Sequence, residues 1–452
     1  MTVLQRLGLW VFARLVRSGT VTVTLPGGLH RVIGEGEPFA DIEVRDHSAV
    51  RDVVRRGVMG FAEAYMDGRV ETSSLPDLLG WAVANRTAWF RHPLARLTAP
   101  VRSLWQRIRP ERRHPRVRTM NDHYNLGNDF YAAWLDETMT YSSARFATPD
   151  QPLADAQSNK YRTIADRAGL GPGMRVLEIG CGWGGFAEYA AGERGCEVVA
   201  VTVAEEHARF ARKRMAGAGL TDRVDIRVQD FREVEGTFDA VVSIEMIESV
   251  DETDWPPLFE TMSARLRPGG LAVMQIITIV DEAWEQYRSR ADFIQQYIFP
   301  GGQLPAPKVL RRLASDTGLE VEQVEEFGLD YARTLAAWRD RFEEAWPRIA
   351  PAHGLDERFR RMWELYLTLC EAGFRMGRIG VEQWVFRRSG DRMELGGSSG
   401  QRGMTNAMSG RSHVPNLDTF PSLDDPGGGG GAGRRRDPAG SRSPSGRRPR
   451  SG

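Results

Sequence analysis

Between residues 160 and 280 the chain switches between two hydrophobic periods. Short apolar runs such as MRVLEIG, EVVAVTV and FDAVVSI alternate with stretches such as EEHARFARKRMAGAG, whose apolar positions recur every three or four residues. The runs read as buried strands and the recurrences as helices. In chain order they are strand MRVLEIG, helix GGFAEYAAGER, strand EVVAVTV, helix EEHARFARKRMAGAG, strands VDIRVQD and FDAVVSI, helix WPPLFETMSARL, turn RPGG and strand LAVMQIITI. This alternation predicts an α/β domain with a parallel sheet covered by helices on both faces.

The flanks read differently. Residues 20–90 form a small α+β unit, with strands TVTVTLPGG and ADIEVRD, a glycine-broken helical stretch VRDVVRRGVMGFAEAYMDGRVE and a helix LPDLLGWAVAN. Residues 281–388 read as mostly helical. Two aromatic stripes stand there, Trp338, Phe342 and Trp346, then Phe359, Trp363, Tyr366, Cys370 and Phe374. Each is either ordinary helix core or a wall for a long apolar substrate. Beyond about residue 389 the chain fills with Gly, Ser, Pro and Arg, which predicts a disordered tail. The expected division is therefore an N-terminal lipid-engaging domain (1–90), a basic linker (91–118), a catalytic domain (119–388) and a tail (389–452).

Composition adds a few exclusions. Lys+Arg and Asp+Glu balance at 60 each, so net charge names no partner. Three cysteines without a CxxC argue against a disulfide framework or a zinc site and for a reducing, cytoplasmic setting. Scattered histidines give no metal-ligand spacing, so no metal is expected. No apolar run approaches the roughly 18 residues that span a bilayer. Residues 1–19 instead place Leu4, Leu7, Trp10, Val11 and Leu15 at helical spacing, an amphipathic helix that either packs on its own domain or meets a lipid surface. The arginine-rich arm 91–118 carries only Glu111 against its positive charge, which suits an anionic membrane first and nucleic acid second. No nucleic-acid motif accompanies it, so nucleic acid is not an expected partner.

Candidate chemistry starts at LEIGCGWGGFAEYAA, residues 177–191. Gly180, Gly182 and Gly184 follow a buried strand and open a helix. Missing β-carbons let backbone turn sharply beside a ligand, and the helix N-terminus faces the same spot. A dinucleotide fingerprint would place an acid at the end of the next strand, where this chain has Thr202. Glu178 lies inside the strand before the turn. A nucleoside with a cationic amino-acid arm fits these features better. The pattern resembles that of S-adenosylmethionine-dependent methyltransferases, in which Asp230 stands where an acid usually lies near the adenine.

The resemblance narrows with six segments in order: HYNLGNDFYAAWLDETMTYSSARF, VLEIGCGWGG, VTVAEE, EMIESV, DFIQQYIFPGGQLP and GLDYARTLAAW. Together they resemble the cyclopropane-fatty-acyl-phospholipid synthase family, over about residues 20–388. The resemblance implies a Rossmann-like class I methyltransferase sheet with helical insertions. It implies S-adenosylmethionine as methyl donor, bicarbonate as proton acceptor, and the cis double bond of an unsaturated phospholipid acyl chain as methyl acceptor. It places the enzyme in the cytoplasm, peripheral at the inner face of the membrane, and leaves a homodimer open. Methyl transfer to an alkene leaves a carbocation. Proton loss from the added methyl then closes a cyclopropane ring, whereas a prior hydride shift gives a methylene branch. A methyltransferase for a soluble small molecule is a further alternative, and a non-catalytic lipid-binding protein another.

Carried over residue by residue, the resemblance gives Glu248 as the bicarbonate-holding glutamate, Tyr331 as a second contact and Ile277 as a backbone contact. Tyr141, Ser142, Gly180, Gly182 and Thr202 match donor-binding positions. Ser143 stands where many members have cysteine, Gln275 where many have histidine, and His207 where glutamine is common. ESVD replaces EHVG. Ser143 and Gln275 can still donate hydrogen bonds, but the fate of the cation is left open. Cys181 reads as a packing residue, since no nucleophile is needed.

Overall fold

The computed structural model describes residues 13–14, 16–85, 126–289 and 291–389, all within one compact unit, Met1–Met393. The amphipathic helix expected over 1–19 is described only in small part. Of the basic linker 91–118 nothing falls among these residues, and of the tail 389–452 only Ser389 does.

The first element group is β1 (Gly19–Leu25), β2 (Leu29–Glu35), β3 (Phe39–Val44), α1 (His47–Arg56), α2 (Val58–Met66), β4 (Val70–Glu71) and α3 (Leu75–Ala84). Its sheet has the order β2-β1-β3-β4. The period-two alternation of TVTVTL buries Val21 and Val23 against Leu78 and Trp81 of α3. β2 was not anticipated, because LHRVIGE exposes most of its residues and carries little apolar signal. Buried Asn85, just after α3, accepts from the amides of Arg17 and Ser18 at 2.6 and 3.1 Å and returns a hydrogen bond to the Ser18 carbonyl.

The second group begins with α4 (Asn128–Ala132) and α5 (Leu153–Arg167). It continues through β5 (Arg175–Ile179), α6 (Gly185–Gly192), β6 (Glu197–Thr202), α7 (Glu205–Gly217), β7 (Val224–Val228), β8 (Phe238–Ile244), α8 (Trp255–Arg265) and β9 (Leu266–Ile279). Then come α9 (Trp284–Arg288), a π-helical turn (Ile294–Ile298), α10 (Pro307–Asp316), β10 (Leu319–Glu326), α11 (Gly328–His353), α12 (Glu357–Arg375) and β11 (Ile379–Arg388). The sheet order is β10-β11-β9-β8-β5-β6-β7. β9, β8, β5, β6 and β7 run parallel, as the alternating pattern predicts. β11 and β10 add an antiparallel edge that the mostly helical reading of 281–388 did not contain, although helices do make up most of that stretch. IGVEQWVFRR is buried on both faces along its middle, so it lacks the alternation that marks a strand with one wet face.

Chain order reverses between β5 and β8, so the carboxyl ends of these strands frame the crevice where such sheets bind ligands. The aromatic stripes of α11 and α12 are core: Trp338, Phe342 and Trp363 are fully buried and meet Phe130 and Trp134. Burying each ring contributes roughly 2 kcal/mol or more. The same cluster takes in Met59, Tyr65, Met66 and Leu79 from α2 and α3. Polar ties cross this seam too: Tyr297 donates to Glu63 at 2.9 Å and Arg358 to Asp67 at 3.1 Å.

Candidate active site

The glycine turn follows β5 directly. Gly180, Gly182 and Gly184 all have positive φ, at 84°, 50° and 82°, where a β-carbon is strained. The amides of Gly180 and Cys181 both donate to the Val201 carbonyl of β6, at 2.9 and 3.1 Å. A β-carbon on Gly180 would lie 2.6 Å from the Met246 side chain, whereas one on Gly182 would meet nothing within 4 Å. Gly180 therefore lets the turn lie against the β8 loop, and Gly182 leaves room above it. Gly184 caps α6 and packs on Ala211.

Above the turn lies a cavity of about 340 Å³, within the range of small-molecule sites. Its walls include Tyr141, Ser142, Glu178, Thr202, His207 and Asp230, together with Gly180 and Gly182. Every expected donor-site residue except Gly184 thus faces one space. Glu178 is buried under the turn; burial pushes its carboxyl up to about 8, with Lys160 and the Ala187 amide pulling the other way. His207 packs on Trp183 with ring centres 4.5 Å apart, and burial pushes its imidazole down to about 4. It is therefore neutral at physiological pH. Asp230 is gripped by the Arg232 guanidinium at 2.7 and 2.9 Å, which holds its carboxyl below the usual range. Cys181 is buried, and burial raises its thiol well above the ordinary value, which suits a packing residue.

The five residues expected around the proton acceptor converge on two carboxylates. Glu245, immediately after β8, receives the Ser143 amide at 2.9 Å and the Gln275 side-chain amide at 2.8 Å on one oxygen, and the Tyr331 hydroxyl at 2.8 Å on the other. Glu248 accepts from the Ile277 amide, and its second oxygen is buried without a hydrogen-bond partner among the described residues. Burial, then the neighbouring Glu245, pushes Glu248 up to about 8. Burial also raises Glu245, with Lys160, Gln275, Ser143 and Tyr331 pulling against it.

Glu245 was missed from the sequence. It stands in the quoted segment EMIESV, but nothing in its spacing sets it apart from a strand-end carboxylate. Its backbone does: φ is 49°, and Met139 is the other non-glycine described residue with positive φ. Both line the cavity. Such a conformation costs about 1–2 kcal/mol and persists where surrounding contacts impose it. Lys160 was missed as well. Fully buried on α5, it donates to the Ser142 hydroxyl at 2.6 Å, and burial pushes its ammonium down to about 7.

Aromatic rings enclose the far side of the cluster. Tyr331 stacks on Phe374 at 4.5 Å and meets Trp338 edge-on. Tyr141 packs on Trp134 and Trp338, and its hydroxyl lies 2.7 Å from that of Tyr366. Such faces stabilise positive charge without supplying a nucleophile.

A parallel sheet with an antiparallel edge, and a glycine turn opening onto a nucleoside-sized cavity, define a class I S-adenosylmethionine-dependent methyltransferase. Comparison with solved structures agrees. The chain superposes on the cyclopropane synthase MmaA2 from Mycobacterium tuberculosis with a TM-score of 0.56 and 28% identity, covering 59% of this chain and 96% of that one. The mycolic acid cyclopropane synthase CmaA1 complexed with SAH and CTAB gives a TM-score of 0.55 at 28% identity over the same shares. Residues 111–384 match the family described as mycolic acid cyclopropane synthetase, and the chain belongs to that family. Among curated relatives, the tuberculostearic acid methyltransferase UfaA1 of M. tuberculosis is 40% identical over 76% of this chain and 82% of its own length. The cyclopropane-fatty-acyl-phospholipid synthase of Escherichia coli K12 is 34% identical over 78% and 89%.

Proposed function

We propose that the enzyme transfers a one-carbon unit from S-adenosylmethionine to the double bond of an unsaturated phospholipid acyl chain. The observation that carries this reading is the juxtaposition of the glycine-turn cavity with the Glu245–Tyr331 pair beneath aromatic rings. Bound S-adenosylmethionine supplies an electrophilic methyl group on sulfur. Gly180, Gly182, Glu178, Thr202, His207 and Asp230 would hold it, and Tyr141 and Ser142 would close over it. An alkene is a weak nucleophile, so alignment against the methyl group carries much of the acceleration. The resulting cation needs a dry site, and the rings of Tyr141, Tyr331 and Trp338 exclude water from it.

Bicarbonate does not fit the groups expected to hold it. The Ser143 hydroxyl donates to the Ala144 carbonyl at 3.0 Å and its amide to Glu245. Both Gln275 N–H groups and the Tyr331 hydroxyl are likewise donated within the protein, and the Ile277 amide serves Glu248. No step is therefore routed through bicarbonate.

Proton loss from the added methyl closes a cyclopropane ring. A second reading, in which a hydride shift precedes that loss and leaves a methylene branch, is favoured by the likeness to the tuberculostearic acid methyltransferase. The first group of elements serves as the lipid-engaging part in this reading. On α1, Val50, Val54 and Val58 just beyond it are exposed beside Arg51 and Arg55, a mix that suits an anionic lipid surface. The test is incubation of the purified chain with S-adenosylmethionine and vesicles of dioleoyl phosphatidylglycerol. Acyl chains heavier by one methylene unit support the proposal, and nuclear magnetic resonance then separates ring from branch. Unchanged chains alongside methylation of soluble compounds would reject it.

A further inference from the structure

We infer that Glu245 is the built-in base of the reaction, doing the work that a bound anion would otherwise do. This rests on the proposed alkene methylation. Three observations point to it. The Glu245 carboxylate takes hydrogen bonds from the Ser143 backbone amide, the Gln275 side-chain amide and the Tyr331 hydroxyl, donors on three of the residues expected to surround a small oxyanion. It also forms part of the wall of the donor cavity, which none of those three does. Finally, its backbone is held in the left-handed region, φ 49°, a strained conformation that persists where surrounding contacts impose it.

Lone-pair accounting then picks the reacting atom. A carboxylate offers about four acceptor positions, two on each oxygen. Oε1 fills its two with the Ser143 and Gln275 donors, whereas Oε2 accepts only from Tyr331 among the described residues. One position on Oε2 is left for an incoming proton. Burial raises Glu245 above the usual carboxylate range, while Lys160 and its three donors pull back toward the charged form. Glu248 beside it carries the proton at neutral pH, so the two carboxyls do not both ionise.

The step balances without an external base. The C–H bond of the added methyl breaks and its proton goes to Oε2 of Glu245. The freed electron pair makes the new carbon–carbon bond, either the last side of the ring or, after a hydride shift, the second bond of the C=CH2 methylene branch. The donor leaves as the neutral thioether S-adenosylhomocysteine. Glu245 returns its proton to water before the next turnover, so one proton is released per product.

The experiment uses the full chain, methyl-labelled S-adenosylmethionine and dioleoyl phosphatidylglycerol vesicles, in carbon-dioxide-free buffer with and without added bicarbonate. Wild-type protein should turn over equally in both. Glu245→Gly should fold, since glycine relaxes the positive φ. It should lose about 100-fold or more in rate without bicarbonate and regain at least tenfold with it, because the freed donors then form an anion site. Glu245→Gln, which fills that site but takes no proton, should be equally slow and gain nothing from bicarbonate. Affinity for S-adenosylmethionine, measured by calorimetry, should stay within a few-fold in both variants. A wild type that stalls without bicarbonate, or a Glu245→Gly variant that runs at the wild-type rate without it, overturns the assignment while leaving alkene methylation standing. A wild type that binds donor yet alters no acyl chain under either condition overturns both.

Discussion

Tyr65 of α2 donates its hydroxyl to Glu364 of α12 across 2.6 Å, joining positions 299 residues apart in the chain. This bond sits at the rim of the aromatic cluster that also contains Tyr331 and Trp338. The N-terminal elements therefore complete the core beside the site. Tyr65→Phe should cost about 1–3 kcal/mol, because it leaves a half-buried carboxylate without its donor. Thermal unfolding should show a lower Tm with donor affinity unchanged. A chain starting at residue 126 should expose the face of α12 that meets Tyr65, around Glu364 and Arg361, together with the apolar residues packed beside it, and aggregate, which light scattering would detect.

The glycine turn makes a paired prediction. In Gly180→Ala the new methyl meets Met246 at 2.6 Å, displacing the loop that carries Glu245. Both Tm and donor affinity should fall, the latter by tenfold or more. In Gly182→Ala the methyl meets open space, so donor affinity should fall more than stability does. Calorimetric titration and melting curves separate the two.

Removing the Tyr331 hydroxyl takes away one of the bonds that orient Glu245. Tyr331→Phe should lower kcat by about tenfold, the worth of one hydrogen bond to a charged group. The ring and its stacking on Phe374 remain, so KM for lipid should hardly move. Steady-state kinetics on vesicles would check the split.

Glu248 gives the protein a measurable pH signature. Unfolded, it loses its proton near 4.5, whereas folded it keeps the proton to about 8. The folded state holds the extra proton across that window, so this group's contribution to stability falls as pH rises from about 5 to 8. Glu178 shifts the same way and buried Lys160 the opposite way, and both remain in the variant. Comparison of wild type with Glu248→Gln isolates the group. The Tm of the variant relative to wild type should climb steadily between pH 5 and 8; a constant difference would contradict the buried, proton-bearing Glu248.

Much of this was legible in the sequence because strand-end positions are local. Residues 177–184 specify a strand, a sharp turn and a helix start from their own composition, and Thr202 and Asp230 follow their strands in the same way. β10 and β11 were not legible, since burial on both faces erases the alternation of β11 and β10 is charged along its length. Glu245 was hidden for a different reason. Its importance lies in bonds to residues 143, 275 and 331, contacts that exist only once four separate segments meet.

The most direct test of the account uses S-adenosylmethionine carrying a fully deuterated methyl group, with dioleoyl phosphatidylglycerol vesicles and mass analysis of the released fatty acids. Methylation of the alkene followed by proton loss from the added carbon predicts acyl chains that gain one carbon bearing two deuterium atoms. Chains that retain all three deuterium atoms, or that acquire no labelled carbon at all, would contradict it.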